Sequence, residues 1–196
     1  EIDRSLVGSE MCIRDRLSRS LSISPALSRL LHLRGFDFSD SALDFLKPKL
    51  AHLADPFEIP RLREAVLRII KSIESREGIL LVGDYDVDGI TSTVLVKKIL
   101  ATLGSDPFYV IPKRKGEGYG LTKEILARGL KLGDVKLVIA LDCGTNSFEE
   151  AKILAGKGID LVVVDHHQAK EELPEEPIML NPHLHPDEGE PWRNLC

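Results

Sequence analysis

Three runs of this chain consist almost entirely of large apolar residues, and each leads straight into a carboxylate. Ile79-Leu80-Leu81-Val82-Gly83 precedes Asp84, Leu137-Val138-Ile139-Ala140-Leu141 precedes Asp142, and Leu161-Val162-Val163-Val164 precedes Asp165. Strands that show no apolar–polar alternation are buried on both faces, which is the mark of a parallel sheet. Helical stretches separate them, over 90–103, 122–130 and 148–155, with further short strands over 108–111 and 178–180. This alternation predicts an α/β fold, a parallel sheet covered by helices on both faces. Open sheets of this kind bind ligands beyond the carboxyl ends of their strands. All three acids fall there.

The residues before the first strand read differently. Leu21, Ile23, Leu27, Leu30, Leu31 and Leu33 recur with a helical period, Ser24-Pro25 supplies an N-cap with Pro at the first helical position, and Gly35 ends the helix. A second helix is expected over 39–46, stopped by Pro48. A third is expected over 60–75, from Leu62, Ala65, Val66, Ile69, Ile70 and Ile73. These helices make an N-terminal helical extension over 17–76, with the sheet domain over 77–196. Residues 1–16 show no clear period, are expected to form no element, and read as a stretch foreign to the rest. The chain stops at Pro191-Trp192-Arg193-Asn194-Leu195-Cys196 without a closing helix and reads as a fragment.

Composition narrows the function classes. No apolar run reaches the ~20 residues that a membrane helix needs, and the start has no basic and apolar leader, so a cytoplasmic protein with no membrane partner is expected. Three cysteines far apart in sequence offer neither a disulfide framework nor zinc spacing. The net charge of −5 argues against a non-specific nucleic-acid coat while leaving room for a local basic groove.

The chemistry concentrates after the strands. Asp84-Tyr85-Asp86-Val87-Asp88 places three carboxylates at alternate positions. Two like charges about 4 Å apart repel by roughly 4 kcal/mol at an effective dielectric of about 20, so the cluster calls for a cation. Oxygen-rich clusters suit Mg²⁺ or Mn²⁺. One Asp alone would be a turn residue or helix cap; three beside two other acidic strand ends are more than caps require. No twelve-residue calcium loop and no Gly-Lys-Ser/Thr loop is present. Asp142, on a neighbouring strand, is a candidate bridging carboxylate between two ions roughly 3.5–4 Å apart. Cys143 is either a thiolate ligand or a packed small residue, and the absence of an adjacent basic residue favours packing. In Asp165-His166-His167 one imidazole is expected to bind metal while the other faces a substrate phosphate. Lys113-Arg114-Lys115-Gly116-Glu117-Gly118-Tyr119-Gly120 reads either as a solvated basic turn or as a phosphate-binding loop, with Arg114 as phosphate donor and Tyr119 as a base-stacking group.

Gly83-Asp84-Tyr85-Asp86-Val87-Asp88-Gly89-Ile90-Thr91-Ser92-Thr93, Asp142-Cys143-Gly144, Asp165-His166-His167 and Asn181-Pro182, in this order, resemble the DHH phosphoesterase superfamily. Within it the chain is most similar to the RecJ family of single-strand-specific DNA exonucleases. Ile23-Ser24-Pro25, Arg34-Gly35, Asp55-Pro56 and Ile111-Pro112 through Leu121 join the match, which runs from about Leu21 to Cys196. The resemblance implies 5′→3′ hydrolysis of single-stranded DNA in repair and recombination, with two Mn²⁺ or Mg²⁺ ions. By motif position, Asp86, Asp88, Asp142 and His166 would be metal ligands and Asp84 a ligand or supporting acceptor. Asp165 would orient the histidine pair and His167 would face the scissile phosphate; Arg114, Tyr119 and Asn181 would contact substrate. Single-strand-binding protein or a helicase would be partners through regions absent here. In this family a further Asp ligand lies beyond the Asp-His-His motif, as do two more domains, and the chain ends before them; alone it is expected to be weakly active or inactive. Other readings are a DHH-type phosphodiesterase of short oligonucleotides or cyclic dinucleotides, a non-catalytic DHH-like scaffold, and an α/β domain that binds a nucleotide through Mg²⁺. A family II inorganic pyrophosphatase would carry a His upstream of the first Asp pair, where Val82 stands.

Overall fold

The computed structural model describes residues 4–52, 55–113, 117–170 and 177–184. Its contacts divide the chain into two units, Glu1–Ala54 and Asp55–Cys196.

The first unit holds α1 (Arg4–Leu21), α2 (Pro25–Leu33) and α3 (Ser39–Leu46) around Leu17, Leu31 and Ala42. Ser24 caps α2 as its sequence predicts, accepting a hydrogen bond from the Leu27 N–H at 3.2 Å. Helix α1 corrects the expectation that residues 1–16 form no element. Ile13, Leu17 and Leu21 pack into this core at four-residue spacing. That stripe straddles residue 16, so a reading that stops there loses its period.

The second unit is built from α4 (Leu62–Glu74), β1 (Gly78–Gly83), α5 (Val87–Thr102), β2 (Phe108–Val110), α6 (Lys123–Gly129), β3 (Val135–Leu141), α7 (Phe148–Ala155), β4 (Asp160–Val164) and β5 (Ile178–Leu180). The strands form one sheet in the order β2-β1-β3-β4-β5, and every pair is parallel. Apolar residues leave each strand on alternate faces. Leu80, Val82, Val138, Ala140 and Val163 pack with Ile125 and Leu126 of α6 and Leu154 of α7. Ile79, Leu81, Leu137, Ile139 and Val162 pack with Ala65 of α4 and Leu100 of α5. Helix α4, grouped by sequence with the N-terminal helices, thus covers one face of the sheet.

Register decides where the acids go. Gly83 pairs with Leu141, Leu141 with Val164, and Val164 with Leu180, so four strands end on one row. The next residue of each is Asp84, Asp142, Asp165 or Asn181. Their backbones continue the ladder: Asp84 N–H donates to Leu141 O at 3.3 Å, Asp142 N–H to Val164 O at 2.8 Å, and Asp165 N–H to Leu180 O at 3.0 Å. The chain runs from β1 outward to β2 and then back to β3 on the other side of β1. The row therefore crosses the switch point where ligands of open α/β sheets bind.

At the opposite ends of the strands Arg68 of α4 is the tie. Its guanidinium bonds the Asp160 carboxylate and Ser72 Oγ, pairs with Glu77 at 2.8 Å, and reaches Lys136 O at 3.3 Å. Burial would raise the Glu77 carboxyl, but bonds from Ser72 and Arg68 override it and hold it below the usual range. A depressed carboxyl stabilises the fold above its unfolded pKa and loses that contribution as pH falls. Arg68→Ala is expected to lower the unfolding free energy by about 2 kcal/mol at neutral pH. The gap to the parent should narrow below about pH 4. Urea unfolding at two pH values measures both.

Candidate metal centre

Each element delivers its side chain to the row for a local reason. After β1 the chain turns sharply into α5, whose helix begins at Val87 rather than at Ile90 as the sequence suggests. Asp86 is the N-cap, accepting from Gly89 N–H at 3.0 Å, and Asp88 lies in the first helical turn. The turn is tight because Gly89 lies on Asp84: a Cβ there would overlap the backbone N and O of Asp84. The Gly89 N–H bond holds the Asp86 carboxyl below the usual range. Asp84 is buried, and its Oδ1 accepts from Tyr85 N–H at 2.6 Å.

Asp142 leaves β3 with φ of 60°, in the left-handed region that a non-glycine residue seldom adopts. Its side chain is 7% exposed. Oδ1 lies 3.1 Å from His166 Nε2, whereas Oδ2 is buried with no hydrogen-bond partner among the described residues. Burial, with the neighbouring Asp86 carboxylate, pushes the Asp142 carboxyl up to about 6. A buried, unpartnered carboxylate oxygen beside a second carboxylate is costly without a cation. Asp142, His166 and His167 bring one donor atom each within 4.8 Å of one another. Carboxylate oxygen with imidazole nitrogen is a donor set suited to Mn²⁺ as well as Mg²⁺. These residues fit a divalent ion.

Asp165 has a different role. Its Oδ1 accepts from His166 N–H at 2.7 Å, His167 N–H at 3.1 Å and His167 Nδ1 at 2.7 Å, and its Oδ2 from Thr145 N–H at 3.0 Å. Oδ1 orients the histidine pair, and Oδ2 holds the loop after Asp142 through Thr145. The bond from Asp165 raises the His167 pKa and occupies Nδ1, leaving Nε2 without a hydrogen bond among the described residues. The two imidazoles lie 4.8 Å apart between centroids.

Asn181 is buried too. Its amide donates to Thr145 Oγ1 at 2.8 Å and His167 O at 2.9 Å and accepts from His183 N–H at 2.9 Å. It fastens the Asp-His-His loop to the loop after Asp142. Cys143 packs in the sheet core, where burial pushes its thiol far up, so the packed alternative is the one the structure adopts. Tyr119 is exposed, with its ring 5.2 Å from that of Tyr85. Arg114 lies outside the described residues. Asp88, Asp142 and His166 open onto a cleft whose walls include Thr91, Ser92 and Leu95 of α5. Sequence reading passes over Thr145 and Tyr85. Thr145 stands in Asp142-Cys143-Gly144-Thr145, and only tertiary pairing with Asp165 and Asn181 reveals its use.

Residues 78–189 match the model of the DHH family, N-terminal domain. The chain is 38% identical to the single-stranded-DNA-specific exonuclease RecJ of Bacillus subtilis over 85% of its own length and 21% of that protein. It is 33% identical to RecJ of Haemophilus influenzae over 86% of its own length and 28% of the relative. It spans under a third of either protein. Among solved structures, RecJ in complex with Mn²⁺ from Thermus thermophilus superposes with a TM-score of 0.69, at 28% identity over 92% of this chain and 24% of that one. A manganese-bound exonuclease RecJ gives 0.61, at 33% identity over 66% of this chain and 33% of that one. With more than half of its length matching this family model, the chain belongs to the DHH family.

Proposed function

We propose that this chain carries the metal centre of a 5′→3′ exonuclease that hydrolyses single-stranded DNA in repair and recombination. The observation that carries the reading is the buried, unpartnered Oδ2 of Asp142 at the meeting point of Asp86, His166 and His167. The RecJ relatives, single-stranded-DNA-specific by name and manganese-bound in the solved structures, support it. Asp86, Asp88, Asp142 and His166 would hold two Mn²⁺ or Mg²⁺ ions, with Asp84 supporting them. When bound, such ions polarise phosphoryl oxygens and lower the pKa of water.

The chain's own residues set up the rest. Asp165 fixes His167 through Nδ1 and keeps Nε2 available to bond a phosphoryl oxygen or pass a proton to a leaving oxygen. Asn181 and Thr145 hold the backbone on which both histidines stand. Work on DNA in repair and recombination would suit a cytoplasmic protein. No helix among the described residues is long and apolar enough to cross a membrane. Single-strand-binding protein or a helicase would engage the parts present in the longer relatives. Alone, the chain would digest DNA weakly or not at all, because the RecJ relatives are several times its length.

Titration calorimetry tests the centre. The parent chain should bind Mn²⁺, and Asp86→Ala and His166→Ala should each weaken binding at least tenfold, as expected when a ligand is removed. Absence of Mn²⁺ binding by the parent, or unchanged binding by both variants, overturns the reading. The Asp142 carboxyl also predicts pH dependence. Its folded pKa of about 6 lies above that of an unfolded Asp. The proton-bound form therefore stabilises the metal-free fold at low pH, and that contribution is lost as pH rises through about 6. Mn²⁺ needs the carboxylate, so its affinity should fall as pH drops from 7 to 5. Thermal melting with and without Mn²⁺ should show a larger upward shift at pH 7 than at pH 5.

A further inference from the structure

Between β2 and α6, Ile111, Lys113 and Glu117 are tied down in a way the metal centre does not explain. Glu117 Oε2 accepts from the Lys113 N–H at 2.7 Å and pairs with Arg128 Nη2 at 3.1 Å. The same Arg128 nitrogen donates to Ile111 O at 2.6 Å. Arg128 thereby ties Ile111, just after β2, and Glu117 to helix α6, and Glu117 in turn holds Lys113. Arg128 Nε is buried with no hydrogen-bond partner among the described residues, while the side chain as a whole stays partly exposed.

Beyond Glu117 the loop is pressed onto the strand that carries Asp142. Gly120 adopts φ of 67°, and a Cβ there would come 2.9 Å from the Cβ of Cys143. Leu121 is buried, and its carbonyl accepts from Ser147 Oγ at 2.9 Å. Between these fixed points stands Tyr119, mostly exposed, with its ring against Tyr85. Tyr85 separates Asp84 from Asp86 in the candidate metal centre. A half-buried ion pair on one side of Tyr119 thus lies two residues from an aromatic pair whose other ring belongs to the Asp84–Asp86 turn.

We infer that Glu117 and Arg128 are positioning residues, a latch that holds the loop bearing Tyr119 beside the metal centre so that a single DNA strand meets a preformed aromatic surface. This rests on the reading of the chain as a single-strand exonuclease domain. Neither residue touches the candidate metal ligands, so losing the latch should weaken strand binding and leave metal binding intact. A preformed loop binds without the cost of ordering itself first, and stacking on an aromatic ring stabilises a bound base without sequence preference.

The test uses the whole chain labelled with 3-fluorotyrosine, which reports on its three tyrosines, Tyr85, Tyr109 and Tyr119. Glu117→Ala, Arg128→Ala, the double variant and Arg128→Lys are compared with the parent for Mn²⁺ affinity, for affinity towards labelled oligo(dT) in Mn²⁺, and by fluorine NMR. Each alanine variant should bind oligo(dT) about tenfold more weakly. The double variant should be no weaker than the singles, because one latch is lost either way. Mn²⁺ affinity should stay within about twofold of the parent, given the separation from the ligands. The Tyr119 and Tyr85 resonances should move in both alanine variants. Arg128→Lys, which keeps the charge but not the fork, should recover part of the oligo(dT) affinity. Unchanged oligo(dT) affinity in both single variants overturns the inference, as does joint loss of Mn²⁺ and oligo(dT) binding. Should the parent bind Mn²⁺ but no oligo(dT), the single-strand reading fails separately, and the latch is then decided by the fluorine spectrum: Tyr85 and Tyr119 resonances that do not move overturn it.

Discussion

The last row of the parallel ladder is the constraint on which the rest depends. Parallel pairing fixes Gly83, Leu141, Val164 and Leu180 opposite one another across four strands. A one-residue slip would turn every apolar side chain to the wrong face of a sheet that is covered on both sides. The register is therefore held by the whole core, and the site inherits that rigidity. Asp84, Asp142, Asp165 and Asn181 are simply the next residues, and their positions are fixed by burial of leucine, isoleucine and valine some way from any chemistry.

Placing carboxylates on such a row is unfavourable by itself, and the structure handles each acid differently. Asp165 is stabilised as a carboxylate by donors, with three bonds on Oδ1 and one on Oδ2. Asp86 is steadied by the N-terminus of α5 through Gly89 N–H. Asp142, by contrast, keeps a buried oxygen without a donor among the described residues, in a backbone conformation that disfavours it. Unrelieved electrostatic and conformational cost concentrated on one residue is typical of functional sites. The surrounding network of Thr145, Asn181 and Asp165 locks the histidines, so the candidate ligand atoms are held in place by the fold itself.

Much of the fold is legible in the sequence because its strands are short, wholly apolar and punctuated by acids. The strand positions, the parallel sheet and the covering of both faces follow from that pattern. The N-terminal helix α1 does not, because its stripe of Ile13, Leu17 and Leu21 acquires meaning only in contact with α2 and α3. The start of α5 at Val87 is missed for a local reason: Asp86 caps the helix, so a residue read as part of an acidic turn is also a helix-initiating one.

That carboxylates and histidines gather at the carboxyl ends of parallel strands is already written in the order of residues, since residue type and strand period are local properties of the chain. Which acid oxygen lacks a partner among the described residues, which acid is spent on hydrogen bonds, that Asn181 serves as a fastener, and that Glu117 pairs with Arg128 emerge only once the chain is folded. The reason is physical. A hydrogen bond or a desolvated oxygen depends on what sits within about 3 Å of it, and at this site those neighbours come from strands, turns and helices well separated in the chain.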